Sequence, residues 1–472
     1  MSTFVRRLSL PRHLWMWATV FAVLLGAAVL GMRPSVRWVA LLAAVGGAII
    51  LLRQPILGFF ALILVSLLIP FEIGTGTEVK VNLSALLVPA LIVVWLLDKV
   101  RQRDTSFIPP SITNRPLVFF LLAGLFSLLV GTVLWEPGVP RSSNLIIVQL
   151  AQWAIFAFSA GIFWLAGSLM RDQMSLRRLT FFYLAVAGSL AILRVLPGTN
   201  SLRDRVATLA LDRAPFWLLL AALAGGQLLF NQNLSTRWRW FLLANVAAVL
   251  LYCFVLERET LSNLAGVAPV IGMLVWLRWP RARWTFVALA VLTLLFLLPV
   301  IYTFAGGDTE WEVSGGSRLA LSGRVVEVTM RNPITGLGPA AYRAYARMKP
   351  LLYEGAYWLD PLVNSHNNYV DLFAHVGILG LALFFWFSAQ VIRLGWRLRT
   401  RFTEGFAAGF VNAMLAAWVG ALVVMALADW TLPHVYNIGF PGFQASVLVW
   451  LFLGGLVSLE QMARDEPQMD AV

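Results

Sequence analysis

The sequence predicts an all-α polytopic membrane protein with about 12 transmembrane helices (12–14) and a helical cap formed by one long loop. Of the 472 residues, 60% are hydrophobic and only 12% are charged. Apolar stretches of about 20 residues, long enough to cross a bilayer, recur along the chain. One long hydrophilic segment, residues 305–366, interrupts this series. The composition excludes a soluble enzyme, a secreted disulfide scaffold and a disordered regulator.

Fourteen apolar windows are candidate spans. They lie near 14–32, 36–52, 56–72, 83–98, 116–135, 145–170, 179–197, 215–231, 240–256, 261–277, 284–304, 368–392, 406–429 and 440–459. A broken or interfacial hairpin around Arg53-Gln54-Pro55 would reduce the number to 12. The predicted parts are transmembrane helices in 1–304, the long loop 305–366, transmembrane helices in 367–459 and a cytoplasmic tail, 460–472.

Charge predicts the orientation of these spans. Segments rich in Arg and Lys, starting with the N-terminal tail, alternate with segments that are poorer in them, and basic loops stay in the cytoplasm. Both termini are therefore predicted to be cytoplasmic, and residues 305–366 to lie on the far side. The first apolar run follows Arg6 and Arg7 and has no small-residue cleavage site, so we interpret it as a retained span.

The long loop has the features of a folded cap. Ser322 is a candidate N-cap for a helix that runs to Asn332, where Pro333 ends it. Pro339 is a candidate start for a second helix. Between them, the stretch 336–338 reads Gly-Leu-Gly and predicts a tight turn.

One histidine lies where this loop is predicted to re-enter the membrane. His366 lies in the stretch Asn364-Ser365-His366-Asn367-Asn368-Tyr369, at the rim of the next span. Histidine titrates near neutral pH and can accept a proton from a hydroxyl group, which would make His366 a general base. The alternative is a polar anchor for the span. His375 and His434 are interpreted as packed or loop residues, and His13 as a surface residue.

Arginine dominates the basic residues and predicts an anion site on the far side. Guanidinium groups bind phosphate oxygens in pairs and keep their charge. Arg258 lies in the short turn Glu257-Arg258-Glu259 at membrane level, where its partner is either a neighbouring glutamate or a lipid-linked phosphate. The sequence contains no Walker A motif and no Asp-x-Asp on the far side, so we expect no cofactor, metal or nucleotide.

Two motifs resemble the O-antigen ligase and polymerase superfamily. His366-Asn367, followed by Gly377 and Gly380, is similar to the pair that opens the span after that family's long periplasmic loop. The upstream stretch 332–342 contains the family's proline and Gly-x-Gly turn. The resemblance covers nearly the whole chain through its topology, and it places the far side in the periplasm and the protein in the bacterial inner membrane.

The resemblance also implies a set of site residues. His366 is the implied catalytic group, and Arg258 takes the position of a phosphate-binding arginine, with Glu-Arg-Glu replacing the usual Ser-Arg. Either Arg318 or Arg324 matches the arginine of the loop. Arg205 resembles the arginine ahead of a span, although the usual Pro-Asn does not follow it.

Members of this superfamily move a glycan from undecaprenyl diphosphate to an acceptor hydroxyl. The resemblance therefore implies a metal-independent and inverting glycosyltransferase, and we favour the ligase that joins O-antigen polysaccharide to the lipid A core. The alternatives are a polymerase, a protein O-oligosaccharyltransferase and, from a different class, a lipid-linked glycan transporter. The expected partners are the lipid-linked donor, the lipid A-core acceptor and membrane lipid, with no nucleic acid, and the chain is expected to act as a monomer.

Overall fold

The computed structural model describes residues 46–47, 50–76, 79–103, 108–199, 201, 208–257, 260–285, 287–288, 291–292, 316–348 and 365–465. The chain forms two compact units, Met1–Pro55 and Ile56–Val472. In the first unit, residues 50–53 are helical. All elements below belong to the second unit.

The second unit is a helix bundle with one small hairpin. Its helices are α1 (Leu57–Leu68), α2 (Leu83–Arg101), α3 (Asn114–Val133), α4 (Leu145–Leu169), α5 (Gln173–Val195), α6 (Ala214–Phe230), α7 (Thr236–Leu251), α8 (Leu261–Arg278), α9 (Gly316–Thr329), α10 (Tyr342–Ala346), α11 (Asn368–Arg401), α12 (Gly405–Met425) and α13 (Gly439–Asp465). A short 3₁₀ turn, Leu209–Asp212, precedes α6, and a π-helical turn, Tyr252–Leu256, extends α7.

Eight helices in the described part of the chain are long and apolar enough to cross a membrane: α2, α3, α4, α5, α7 with its π-helical extension, α11, α12 and α13. Three shorter apolar helices, α1, α6 and α8, also coincide with predicted windows. The windows 14–32, 36–52 and 284–304 lie wholly or mostly outside the described residues. The structure thus confirms a helical, multi-pass membrane protein, and the number of 12 spans stays a prediction.

Helices α12 and α13 form the centre of the bundle. The apolar window of α13 is buried throughout, and that of α12 is 83% buried. Glycines let these helices approach their neighbours closely, because a Cβ on Gly226 of α6 would lie 2.6 Å from Ala413 Cβ of α12. At Gly454 of α13, a Cβ would collide with the backbone of Phe163 in α4. Each central helix therefore packs closely against a neighbour, α12 against α6 and α13 against α4.

A two-stranded antiparallel hairpin departs from the all-α prediction. Strand β1 (Glu72–Gly74) pairs with β2 (Lys80–Asn82), with Ile73 opposite Val81. Asn82 caps α2 by accepting a hydrogen bond from Ala85 N at 2.9 Å, and its amide donates to Phe440 O. The hairpin thereby links the start of α2 to the start of α13.

The long helix α11 is broken at Gly377, which has φ 66° and ψ −173°. The turn after Pro333 fills this break: Ile378 N donates to Pro333 O at 2.9 Å, and Leu379 N donates to Ile334 O at 3.2 Å. In return, Leu337 N donates to Ala374 O at 2.8 Å. The backbone groups freed by the break are therefore satisfied by the predicted Gly-x-Gly turn, in which Gly336 and Gly338 both have positive φ.

The described part of the cap, residues 316–348, packs on α11 and on the loop between α3 and α4. Its helix α9 begins six residues before the predicted start at Ser322 and ends at Thr329, three residues before the predicted end. The second predicted helix is the short α10. One buried cluster holds the cap in place and consists of Trp135, Val139, Leu145, Leu321, Val325, Val328, Leu337, Ala341, Tyr342, Tyr345, Ala346 and Ala374.

Candidate active site

His366 lies in the turn that leads into α11, and its backbone is in the left-handed region, with φ 57°. This conformation is uncommon outside glycine and costs free energy, so the surrounding structure must hold it. Asn367 caps the helix, with its Oδ1 accepting from Tyr369 N at 3.0 Å and Val370 N at 3.3 Å. The Asn367 amide also donates to Ala426 O at 2.9 Å, which ties the turn to the end of α12.

A buried carboxylate fixes the turn from the other side. Asp371 Oδ1 accepts hydrogen bonds from the backbone N and the Oγ of Ser365, both at 2.8 Å. Asp371 is 1% exposed, so each of these bonds lies in a low-dielectric setting where it is strong. His366 therefore lies between Ser365, which Asp371 holds by hydrogen bonds, and Asn367, which caps α11.

The imidazole of His366 contacts two residues of the segment between α12 and α13. Asn437 Nδ2 lies 3.0 Å from His366 Nδ1 and donates to Asp429 Oδ2 at 2.8 Å. Asp429 Oδ1 lies 3.8 Å from the same ring nitrogen. The His366 side chain is 20% exposed and that of Asp429 is 2% exposed, so the ring reaches the surface while its partner is buried.

In this arrangement, the role that Nε2 of His366 can play depends on which ring nitrogen carries the proton. When Asn437 donates to Nδ1, the ring carries its proton on Nε2 and acts as a donor there. When Nδ1 carries the proton instead, it faces the Asp429 carboxylate, and Nε2 becomes the proton acceptor. The buried Asp429 carboxylate beside Nδ1 stabilises a proton on that nitrogen, as in the second form.

Neither Asp429 nor Asn437 belongs to a motif that the sequence indicates. They lie 63 and 71 positions after His366 in the chain, and no spacing rule connects them to it. A signal was available at Asp429, because an acidic residue at the edge of an apolar span is costly unless it is paired. Asn437 carried no such signal.

Two guanidinium groups are held on aromatic rings of the same segment. Arg213 lies over Trp430 at 4.7 Å, and Arg343 of the cap lies over Tyr436 at 4.7 Å. Trp430 adjoins Asp429 and Tyr436 adjoins Asn437 in the chain, so both cations flank the His366 partners. Cation–π stacking orients each guanidinium group.

Arg324, one of the two predicted loop arginines, lies on α9 and is nearly buried. Its side chain is 11% exposed and pairs with Glu327 at 2.7 Å. Burial raises the pKa of the Tyr342 hydroxyl, with Arg324 lowering it and Asp371 raising it, so Tyr342 lies within electrostatic reach of both. Arg318 lies six residues earlier on α9 and is half-buried, about 120° away around the helix.

The other two predicted arginines, Arg258 and Arg205, lie outside the described residues. Their roles stay predictions. The residues that precede Arg258 form the π-helical turn that ends α7, and Glu257 follows this turn with its N donating to Tyr252 O at 2.8 Å.

The remaining histidines of the described part form a buried pair. His375 of α11 packs edge-on against His434, with ring centroids 4.3 Å apart. His434 Nε2 lies 3.4 Å from the Asn368 amide and 3.9 Å from Asp371 Oδ2. Burial, reinforced by His375, lowers the pKa of His434 well below its usual value, so this ring is neutral. Within the described ranges, no group of three or more His, Cys, Asp or Glu residues is arranged to hold a metal ion.

One protein family is similar to part of the chain. The family model described as O-antigen ligase matches residues 245–385, from within α7 to within α11. Residues 245–385 are similar to the O-antigen ligase family. This match confirms the resemblance to the O-antigen ligase and polymerase superfamily, and the matched range contains His366, Arg258, Arg318 and Arg324. No curated protein matches the chain.

The family match indicates a glycosyltransferase-like enzyme that works in a membrane. In general terms, the O-antigen ligase family implies a lipid-linked polysaccharide donor and a lipid acceptor. Asp429, Asn437 and Arg213 lie outside the matched range, so the geometry of this chain alone brings them to the candidate site.

Proposed function

We propose that the protein transfers O-antigen polysaccharide from undecaprenyl diphosphate to a sugar hydroxyl of the lipid A core, at the periplasmic face of the inner membrane. The observation that carries this proposal is the placement of His366. Its ring is partly exposed at the end of the bundle, its backbone is held in a strained turn, and Nδ1 faces a buried carboxylate. Such placement is typical of a functional group and costly for an anchor.

In this proposal, His366 is the general base. The acceptor hydroxyl attacks the anomeric carbon and gives its proton to Nε2, while the bond from that carbon to the diphosphate oxygen breaks. Nδ1–H then points to Asp429, which stabilises the imidazolium that forms. Attack opposite the leaving diphosphate inverts the anomeric centre.

Arginines take the place of a metal ion at the leaving group. Negative charge grows on the diphosphate as the bond breaks, and preorganised guanidinium groups stabilise that charge at low dielectric. The proposed ligands are Arg258, Arg205 and one of Arg318 and Arg324. The nearly buried side chain of Arg324 supports this residue for the loop position.

The broken helix α11 argues against a transporter. Transporters of lipid-linked or polar substrates use unwound helices whose free backbone groups line the substrate cavity. Here the groups freed at Gly377 bond to Pro333, Ile334 and Leu337 of the chain itself. The backbone groups at the break therefore hold the segment that contains the Gly-x-Gly turn, and they do not line a substrate cavity.

A genetic experiment separates the ligase from its closest alternatives. Deletion of the gene should leave the lipid A core bare while long carrier-linked polymer accumulates. Restoring the gene should return polymer to the core, and the His366→Gln variant should not. A deletion strain whose cores carry a single repeat unit would identify a polymerase, and one with normal lipopolysaccharide and unglycosylated proteins would identify a protein oligosaccharyltransferase.

A further inference from the structure

A cavity of about 440 Å³ opens at the end of α3, beside the cap and away from the His366 partners. Its lining includes Trp135, Glu136, Arg331, Asn332 and Tyr345. It lies at the same end of the bundle as His366, because α3 runs antiparallel to α11: Ser127 Oγ donates to His375 O, while Phe119 contacts Trp386 further along. The mechanism proposed above makes no use of this cavity.

Two cations are held on a pair of aromatic rings that line this cavity; Arg331 lines the cavity itself, and Arg141 contacts its Trp135 wall. The rings of Trp135 and Tyr345 contact each other, with centroids 5.1 Å apart. Arg141 lies over Trp135 at 5.0 Å, and Arg331 lies over Tyr345 at 5.6 Å. The stacking fixes the direction of each guanidinium, as suits recognition of a phosphate or carboxylate.

The local charge and hydrogen bonding favour an anionic and polar occupant. Arg331 forms an ion pair with Glu136 at 3.0 Å in which both side chains are about half exposed. Arg141 donates to Thr132 O at 2.9 Å. With one carboxylate and two guanidinium groups, this group of residues carries a net positive charge. Pockets that combine aromatic walls with a few oriented polar groups are typical ligand sites.

The position of the cavity favours a membrane lipid. Val133 lines the cavity and is 81% exposed, and it ends a stripe of exposed apolar residues on α3 spaced three or four apart: Leu122, Phe126, Leu129 and Val133. Such a stripe on a membrane-spanning helix faces acyl chains. A lipid whose chains lie along the stripe therefore places its headgroup beside Arg141 and Arg331, and basic pockets of this kind bind anionic headgroups.

The cavity is separated from His366 by the first turns of α11. Val370 and Ala374 face the buried cluster of the cap, whereas Asn368 and His375 face the segment that carries Asp429. A helix is about 10 Å wide, so an oligosaccharide attached to a headgroup in the cavity spans that distance to reach the base.

We infer that this cavity binds the phosphorylated saccharide headgroup of the acceptor glycolipid, through Arg141 and Arg331. The identification of the ligand as the acceptor rests on the proposed function. Binding of the headgroup itself can be measured without transfer, so the two claims can fail separately.

The binding experiment uses the full-length protein in phosphatidylcholine nanodiscs, with bisphosphorylated lipid A as the probe. Native mass spectrometry should show binding of this probe, at least about tenfold weaker binding of its dephosphorylated form, and a similar loss in Arg331→Gln and Arg141→Gln. Lys80→Gln is the matched control, because Lys80 also pairs with a glutamate, Glu72, on an exposed surface at this end. Glu136→Gln should retain or strengthen binding, since it removes the competing carboxylate.

Equal binding of both lipid forms, or equal competition by phosphatidylglycerol, would overturn the inference. A loss of lipid binding in Glu136→Gln as large as that in Arg331→Gln would also overturn it, because it would show that the ion pair acts only in folding. In the transfer assay, the two arginine variants should raise KM for the acceptor and leave KM for the donor unchanged. Binding without any transfer by the native protein would reject the proposed function and keep the lipid site.

Discussion

At the scale of single residues, the account depends on how one imidazole is held. His366 adopts a left-handed backbone that its neighbours Ser365 and Asn367 enforce through five hydrogen bonds to Asp371, Tyr369, Val370 and Ala426. Strain of this kind costs roughly 1–3 kcal/mol and persists where position matters more than stability. The direction of the ring is thus set before any substrate arrives.

Asp429 should control the tautomer of His366. Asp429→Asn removes the charge that supports Nδ1–H while keeping the size of the side chain, so we expect the transfer rate to fall by roughly 10²–10⁴ with donor binding retained. Initial rates and donor binding of the purified variant measure this. Asp172→Asn, at the N-cap of α5, is the control and should keep full activity because asparagine also caps helices. A native rate in Asp429→Asn would remove this residue from the mechanism.

Substitution by lysine should affect the two loop arginines to different extents. The side chain of Arg324 is only 11% exposed, so Arg324→Lys should lower kcat/KM for the donor at least about tenfold through loss of the guanidinium fork. Arg318→Lys should have a smaller effect. Steady-state kinetics with varied donor provide the comparison, and a larger loss at Arg318 would assign the loop position to that residue.

At the scale of elements, the insertion of the Gly-x-Gly turn into the break of α11 holds the cap against the membrane helices. The sequence contained both halves of this feature, Gly336-Leu337-Gly338 and Gly377, but as separate motifs. Their pairing is a contact between distant parts of the chain, and local propensity carries no information about it. The hairpin of β1 and β2 was missed for a related reason, because three-residue strands leave no periodic pattern.

Gly377 should tolerate no side chain. Alanine there would adopt a left-handed conformation at a cost of roughly 1–2 kcal/mol, and its Cβ would collide with Ile334 O. We expect Gly377→Ala to lower the thermal unfolding midpoint in detergent and to reduce transfer. Gly323→Ala in α9 is the control, since a Cβ there meets open space and helical alanine is favourable. Equal midpoints for the two variants would contradict the proposed role of the break.

At the scale of the whole molecule, the apolar windows of the sequence predicted the helices of the described chain well. Eleven windows coincide with helices of the described chain, because a bilayer requires long apolar segments whatever their neighbours are. His366 and the loop arginines are candidates because they belong to contiguous motifs, and their roles stay predictions. The contacts of Asp429 and Asn437 with His366 could not be predicted, since only the packing of α12 and α13 brings these residues to the ring.

The predicted sidedness can be measured with single cysteines in a Cys253→Ala background. Met348 of the cap and Gln173 at the start of α5 are both exposed. An impermeant maleimide applied to cells with a permeabilised outer membrane should label Met348→Cys and spare Gln173→Cys until the inner membrane is opened, because Arg171, Arg177 and Arg178 lie at this end of α5. Labelling of Gln173→Cys alone would invert the topology and place His366 in the cytoplasm.

The central claim is that His366 accepts the proton of the acceptor hydroxyl. The most direct test measures transfer by purified native protein and by His366→Gln, in excess EDTA, with lipid-linked polysaccharide and lipid A core as substrates. Glutamine can replace a hydrogen bond but cannot serve as a base, so the account predicts a rate roughly 10²–10⁴ lower in the variant, with unchanged donor binding and thermal midpoint. Near-native turnover by His366→Gln would contradict it and leave His366 as an anchor of α11.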